Sequence, residues 1–231
     1  MPTIPPPGSL SSVTIDCPIF GFDDFMLKIL LVKRDIEPSK GMWALPGGWI
    51  FKHENTDDAA KRILEEATGV RDIYMEQLGV FGDVNRYPGE RIITIGYTAL
   101  INPHKYKLRH GPDVSEVRWF DTKAVPRLTF DHNEIVKSAL EHLNKRFREE
   151  PISFELLPRK FTLPQILSLY ESVLGIEMDR RNFRKKMLQL DILEKLEEKQ
   201  KGVAHRAASL YRFDEKKYKE NGFRFVIRDG K

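Results

Sequence analysis

The stretch from Trp43 to Val70, WALPGGWIFKHENTDDAAKRILEEATGV, leaves this chain few folds to choose from. It opens on a tight glycine turn, Leu45-Pro46-Gly47-Gly48, and crosses a loop that carries Glu54. It then enters a run whose apolar residues Ala60, Ile63, Leu64 and Ala67 recur on one helix face. Gly69 stands where such a helix ends in a left-handed residue. Strand, glycine loop, acidic helix and glycine stop follow one another without a break.

The positions Gly48, Glu54, Arg62, Leu64, Glu66, Gly69 and Val70 resemble the Nudix box, the phosphate-handling motif of the Nudix hydrolases, with no insertion or deletion. The resemblance implies an α/β/α sandwich in which box glutamates hold magnesium or manganese and activate water. Two of those glutamates are missing here, replaced by Ile63 and Ala67. Magnesium asks for hard oxygen ligands in near-octahedral geometry, and neighbouring helix turns must supply them together. Glu65 points about 100° around the helix from Glu66 and does not take over the place of Ala67. Without that charge the main device of a metal hydrolase is gone. The expected box is therefore scaffold and pocket, with remnants Gly48, Glu54, Arg62, Glu65 and Glu66, no catalytic residues, no metal and no required cofactor. Magnesium or manganese enters only if carboxylates elsewhere, such as Asp83 or Glu90, complete a site.

Charge is unevenly placed along the 231 residues. Residues 151–231 carry 18 Lys and Arg against 12 Asp and Glu, which leaves 20 against 22 for the first 150. The whole basic excess lies in the last third, which points to an acidic partner for that part alone, nucleic acid first. No apolar run approaches the roughly 18 residues of a membrane span, and Met1–Ser12 lacks the pattern of a secretory signal. Cys17 is the only cysteine, so no internal disulfide forms, in keeping with a reducing cytoplasm. Its apolar neighbours mark it as core.

Ser12–Phe22 and Met26–Arg34 read as a hairpin, Met75–Val84 and Arg91–Ile101 as two further strands, and Glu116–Phe120 as a short one. Asp131 is placed to cap a helix running to about Arg148. Strands and helices in mixed order give an α/β (α+β) sandwich. The division expected is residues 1–150 for this domain, 151–160 for a linker with two prolines, and 161–231 for a second, basic domain.

In that second domain Thr162 is an N-cap for a helix that stops at Gly175, and Asp179 caps another from Arg180 to about Gln189. At about 100° per residue, Phe183, Met187 and Leu190 share one side of the second helix. Arg181, Arg184 and Lys185 share the other, with Arg180, Asn182 and Lys186 at its edges. Arginine pairs bidentately with guanine, asparagine with adenine, and lysine meets phosphate as a point charge. The helix therefore reads as a recognition helix in a DNA major groove. Beyond it, Ile192–Leu196 and Ala208–Phe213 flank a basic interval containing Lys201 and Arg206, which resembles the wing of a winged helix-turn-helix.

A Nudix box short of glutamates, joined to FTLPQILSLYESVLG and DRRNFRKKM, is similar to the Nudix-related transcriptional regulators of NAD metabolism or arabinose use. The resemblance implies a cytoplasmic homodimer on a palindromic double-stranded operator, repressing or activating, with a sugar or an ADP-ribose-like nucleotide as effector. It also implies effector contacts from Lys33, Arg34, Trp43, Glu66, Asp83, Asn85, Arg86, Arg91, Tyr97, Asp131 and His132. Relatives that handle ADP-ribose carry Arg-Asp-Pro-Arg-Gly where this chain has Arg86-Tyr87-Pro88-Gly89-Glu90. The lost arginine and added glutamate lean the expectation toward a sugar. The rival reading is a Nudix pyrophosphatase acting on a nucleoside diphosphate derivative, with the C-terminal part an accessory domain.

Overall fold

A computed structural model describes residues 5–71, 73–111, 113–200 and 207–222. The described residues fall into two compact units, one from residues 1–21 and 28–140, the other from residues 22–27 and 141–231. The division at 140 and 141 lies inside a continuous helix, earlier than the composition change that suggests a cut at 150.

The N-terminal part contains β1 (Ser9–Asp16), β2 (Ile19–Asp23), β3 (Met26–Arg34), β4 (Trp43–Ala44), β5 (Gly47–Phe51), α1 (Thr56–Thr68), β6 (Tyr74–Phe81), β7 (Ile93–Ile101), β8 (Val114–Asp121) and α2 (His132–Glu149). Its mixed sheet runs β4-β3-β2-β7-β1-β5, with β6 on β7 and β8 on β3. The sequence reads β1 and β2 as one strand. They are two, because Pro18 offers no N–H to the ladder, and Cys17 turns its own N–H to the Pro46 carbonyl at 2.8 Å. Both segments still pair in parallel with β7, Val13 opposite Ile93 and Ile19 opposite Ala99.

Helix α1 forms as its spacing predicts. Asn55 accepts from the Asp58 N–H at its start, and Gly69 ends it at φ 75°. Ala59, Ala60, Ile63 and Leu64 are buried against Ile15, Cys17, Ile50, Tyr97 and Ala99. Ile63, the substitute for a glutamate, is 3% exposed, so it contributes about 1.5–3 kcal/mol of burial. A Cβ added at Gly48 would stand 3.0 Å from Ile63 Cγ1, so the glycine turn and the helix meet face to face. Cys17 is fully buried, and burial pushes its thiol far above the ordinary value. That fits a core residue and no nucleophile.

The second part contains α3 (Ser153–Leu156), β9 (Phe161–Thr162), α4 (Leu163–Leu174), α5 (Arg180–Gln189), β10 (Leu193–Lys199), β11 (Ser209–Phe213) and α6 (Glu215–Asn221). Its antiparallel sheet runs β10-β11-β9. The segment 151–160 read as a linker holds α3, and Leu156 and Leu157 are buried. Helix α6, capped by Asp214, follows the wing where the sequence gives little period. Fully buried Tyr170 centres this core, edge-to-face with Phe147 at 5.3 Å and Phe183 at 5.6 Å.

Thr162 and Gln165 form a reciprocal capping box at the start of α4. Thr162→Ala removes the hydroxyl acceptor and should lower the stability of this part by about 1 kcal/mol. Differential scanning calorimetry of the full chain, set against wild type, measures the loss.

Candidate functional site

The glycine turn, the end of β3 and the start of α2 enclose a cleft of about 290 Å³. Its wall includes Asp16, Arg34, Gly47, Gly48, Arg62, Ile63, Glu66, Phe130 and His132. Arg34 reaches it because side chains alternate along β3, and Lys33 must then point the other way. Lys33 stands over the Trp43 ring at 5.9 Å, and Arg118 covers the same ring at 4.8 Å. Lys33 and Trp43, expected at the effector, are therefore not among the cleft residues.

Tyr97 is a second correction of this kind. Its hydroxyl donates to Asp57 Oδ1 at 2.5 Å and sits 2.9 Å from Thr56 Oγ1, under the first turn of α1. Its ring belongs to the core beneath that helix. Arg91 is outside the cleft too, donating from Nη1 to the Asp83 carbonyl at 3.1 Å. Asp83, Asn85, Arg86 and Asp131 line a separate cavity of about 680 Å³. Glu65 is paired with Arg71.

Asp16, which no motif marks, organises the buried wall. Arg86 donates to Asp16 Oδ2 at 3.2 Å and to both oxygens of Asp131 at 2.8 Å. The Arg86 and Asp16 side chains are each 2% exposed. The residue expected to cap α2 thus gives its carboxylate to a guanidinium. His132 is fully buried and accepts the Leu45 N–H on Nδ1 at 2.9 Å. Its Nε2 must then carry the proton, and it faces Asp16 Oδ1 at 3.5 Å. Burial holds His132 below its ordinary value despite the nearby carboxylates. A Cβ at Gly47 would stand 2.2 Å from Asp16 Oδ1, so only glycine lets the turn close over this group.

Arg62 occupies the carboxylates that the box retains. It donates to both oxygens of Glu54 at 2.9 and 2.6 Å, to Glu66 at 3.0 Å and to the Trp49 carbonyl at 2.9 Å. Its hydrogen bond is the main reason the Glu54 carboxyl lies below the usual range. The Nudix fold implies a divalent cation, but among the described residues no three His, Cys, Asp or Glu side chains group as a metal site. Asp83 and Glu90 are both exposed, in the loop after β6. The described residues do not fit that ion.

In the second part, Arg180, Arg181, Asn182, Arg184 and Lys185 are exposed along α5, while Phe183 and Met187 are buried and Lys186 is half-buried. The expected apolar side holds except at Leu190, which is half-buried and caps the helix end. Asp179 accepts the Asn182 N–H at 2.7 Å, so the basic helix is capped as its sequence predicts. The turn before it closes on Gly175 at φ 68°, and the Met178 N–H is held by Glu171 Oε1 at 2.9 Å. Strands β10 and β11 form the stem of the wing, with Leu193 opposite Phe213 and Lys199 opposite Ser209. The wing residues Lys201 and Arg206 lie outside the described residues.

Known families match both parts. The NUDIX domain covers residues 11–141, and the NrtR DNA-binding winged helix domain covers residues 153–213. The chain belongs to the NrtR family. It is 34% identical over 205 residues to the ADPR responsive transcriptional repressor NtrR of Acinetobacter baylyi, across 87% of this chain and 81% of that one. Shewanella oneidensis NrtR complexed with a 27mer DNA superimposes with a TM-score of 0.77 at 31% identity, covering 90% of this chain and 95% of that one. The NUDIX domain of Shewanella oneidensis NrtR complexed with ADP ribose gives 0.53 at 33% identity, over 61% of this chain and 94% of that one.

Within this NrtR-family fold, protonating His132 would remove the acceptor of the Leu45 N–H. With a folded value depressed below the unfolded 6.5, the imidazole's stabilising contribution is complete above 6.5 and is lost as pH falls through 6.5 toward the folded value. The protection factor of the Leu45 amide, its exchange relative to the unstructured rate at the same pH, should therefore fall on acidification below pH 6.5. Arg86→Met leaves two carboxylates without their buried partner and should cost about 3–5 kcal/mol, read by calorimetry at pH 7.

Proposed function

We propose that this protein is a transcriptional repressor whose Nudix domain binds ADP-ribose as an effector and whose winged helix binds operator DNA. One observation carries the reading. A single chain joins a Nudix box whose remaining Glu54 and Glu66 are both engaged by Arg62 to a capped helix presenting Arg180, Arg181, Asn182, Arg184 and Lys185 to solvent. The first part has the cleft of a ligand domain, and among its described residues no three His, Cys, Asp or Glu side chains group as a metal site. The second has the charge that phosphate asks for.

ADP-ribose is preferred to a sugar on two grounds. The lean toward a sugar comes from the charges of Arg86–Glu90, but Glu90 is exposed and Arg86 is paired with Asp16 and Asp131. The NrtR relatives responsive to or complexed with ADP-ribose support the nucleotide and leave the arabinose-like option without support.

The proposed protein acts in the cytoplasm as a homodimer on a palindromic operator. Arg181, Asn182, Arg184 and Lys185 read or track the DNA, Arg180 and Lys186 flank them, and Lys201 and Arg206 hold phosphate. Arg34, Glu66 and His132 face the effector from the cleft, and no metal or cofactor is required. ADP-ribose regulates only if it binds the operator-competent and operator-free arrangements unequally, and the operator must change ADP-ribose affinity by the same factor.

Arg184→Glu should weaken operator binding by at least roughly 10- to 100-fold and leave ADP-ribose affinity unchanged, as read by gel shift and calorimetry. Wild-type protein with magnesium or manganese should form no AMP and ribose 5-phosphate from ADP-ribose above the protein-free rate, as read by chromatography of the products. Turnover of about one per second or more would favour the pyrophosphatase.

A further inference from the structure

The cleft and the neighbouring cavity share one wall residue, Phe130. Its backbone sits at φ 53°, a left-handed conformation that a bulky side chain seldom adopts. The ring is fixed from three sides, by Tyr87 at 4.7 Å, His132 at 5.5 Å and the Arg34 guanidinium at 5.4 Å. The Tyr87 hydroxyl is buried without a hydrogen-bond partner among the described residues, and so is the hydroxyl of Thr129, the residue before Phe130 in the chain. Tyr87 is 3% exposed and Thr129 is 3% exposed. Two buried orphan hydroxyls, one on the residue next to a strained aromatic and one on the ring packed against it, are a costly arrangement unless another state satisfies them.

We propose that Phe130 is a gate dividing a single binding site, and that a two-ended ligand displaces its ring, joins the cleft to the cavity and takes a hydrogen bond from the Tyr87 hydroxyl. The proposal rests on the nucleotide reading above and deepens it by naming where the far end goes. The cavity wall carries Asp83, Asn85, Asp131 and Glu134 against Arg86 alone. Both Asp131 oxygens accept from Arg86, and Asp83 Oδ1 accepts the Asn85 N–H at 2.8 Å. Excess carboxylate repels phosphate and accepts from hydroxyls, so this cavity takes the distal ribose of a nucleoside diphosphate sugar. Burial raises the Tyr87 phenol above its ordinary value in spite of Arg34, which keeps it a donor at neutral pH.

Tyr87→Phe tests the gate, because it removes the hydroxyl and keeps the ring that packs on Phe130. Calorimetric titrations of wild type and variant with ADP-ribose and with ADP, which lacks the distal ribose, are set beside the melting temperature of each free protein. The variant should bind ADP-ribose about 3- to 10-fold more weakly, bind ADP as wild type does, and melt no lower than wild type. Unchanged ADP-ribose affinity in the variant overturns the gate and leaves the effector reading standing. Equal weakening toward both ligands with a lowered melting temperature also overturns it, since that is the signature of a packing role. Failure of wild type itself to bind ADP-ribose sinks the effector reading, and the gate falls with it.

Discussion

The Asp16 carboxylate, a guanidinium and a neutral imidazole lie buried beside the glycine turn with half-buried Asp131 at their edge, and the walls of the cleft depend on their staying paired. Asp16 is held by Arg86, Arg86 by Asp131, and His132 stands between Asp16 and the Leu45 N–H. Each contact ties a different segment to the same point: the end of β1, the loop after β6, the start of α2 and the turn into β5. Unpaired, any one of these buried charges would cost several kcal/mol. The loops that border the cleft are therefore fixed in position by electrostatics as well as packing.

The Nudix box couples a glycine turn to a helix. Gly48 remains because Ile63 packs where a Cβ would sit, and Gly69 remains because the helix ends in a left-handed residue. Arg62 crosses from α1 to Glu54 and the Trp49 carbonyl and ties the loop to the helix. Ile63 adds core where a hydrolase has a metal ligand. A frame with these couplings holds its shape, and its cleft is open to a binding role.

The winged helix is built from nearer neighbours. Capping by Thr162, Gln165 and Asp179, the left-handed Gly175 and the aromatic contacts of Tyr170 fix α4 and α5 against each other. The basic side chains of α5 have no part in that core. Charge and fold can thus be altered separately, as a surface that reads DNA requires.

The sequence by itself determined what short-range rules decide. The box frame, the span of α1, its glycine stop, both helices of the helix-turn-helix and the exposed face of α5 all follow from spacing and caps within a few residues. It also gave the joining of a Nudix domain to a winged helix. Only the tertiary structure decided which of Lys33 and Arg34 faces the cleft, that Tyr97 serves α1, and that Arg86 is a buried partner. It alone revealed Asp16, whose bond to Arg86 spans 70 residues of sequence, as the Asp131 bond spans 45. Periodicity says which side of a strand a residue occupies relative to its neighbours. Which side meets the cleft, and which distant charge waits there, is settled when the strands and loops pack together.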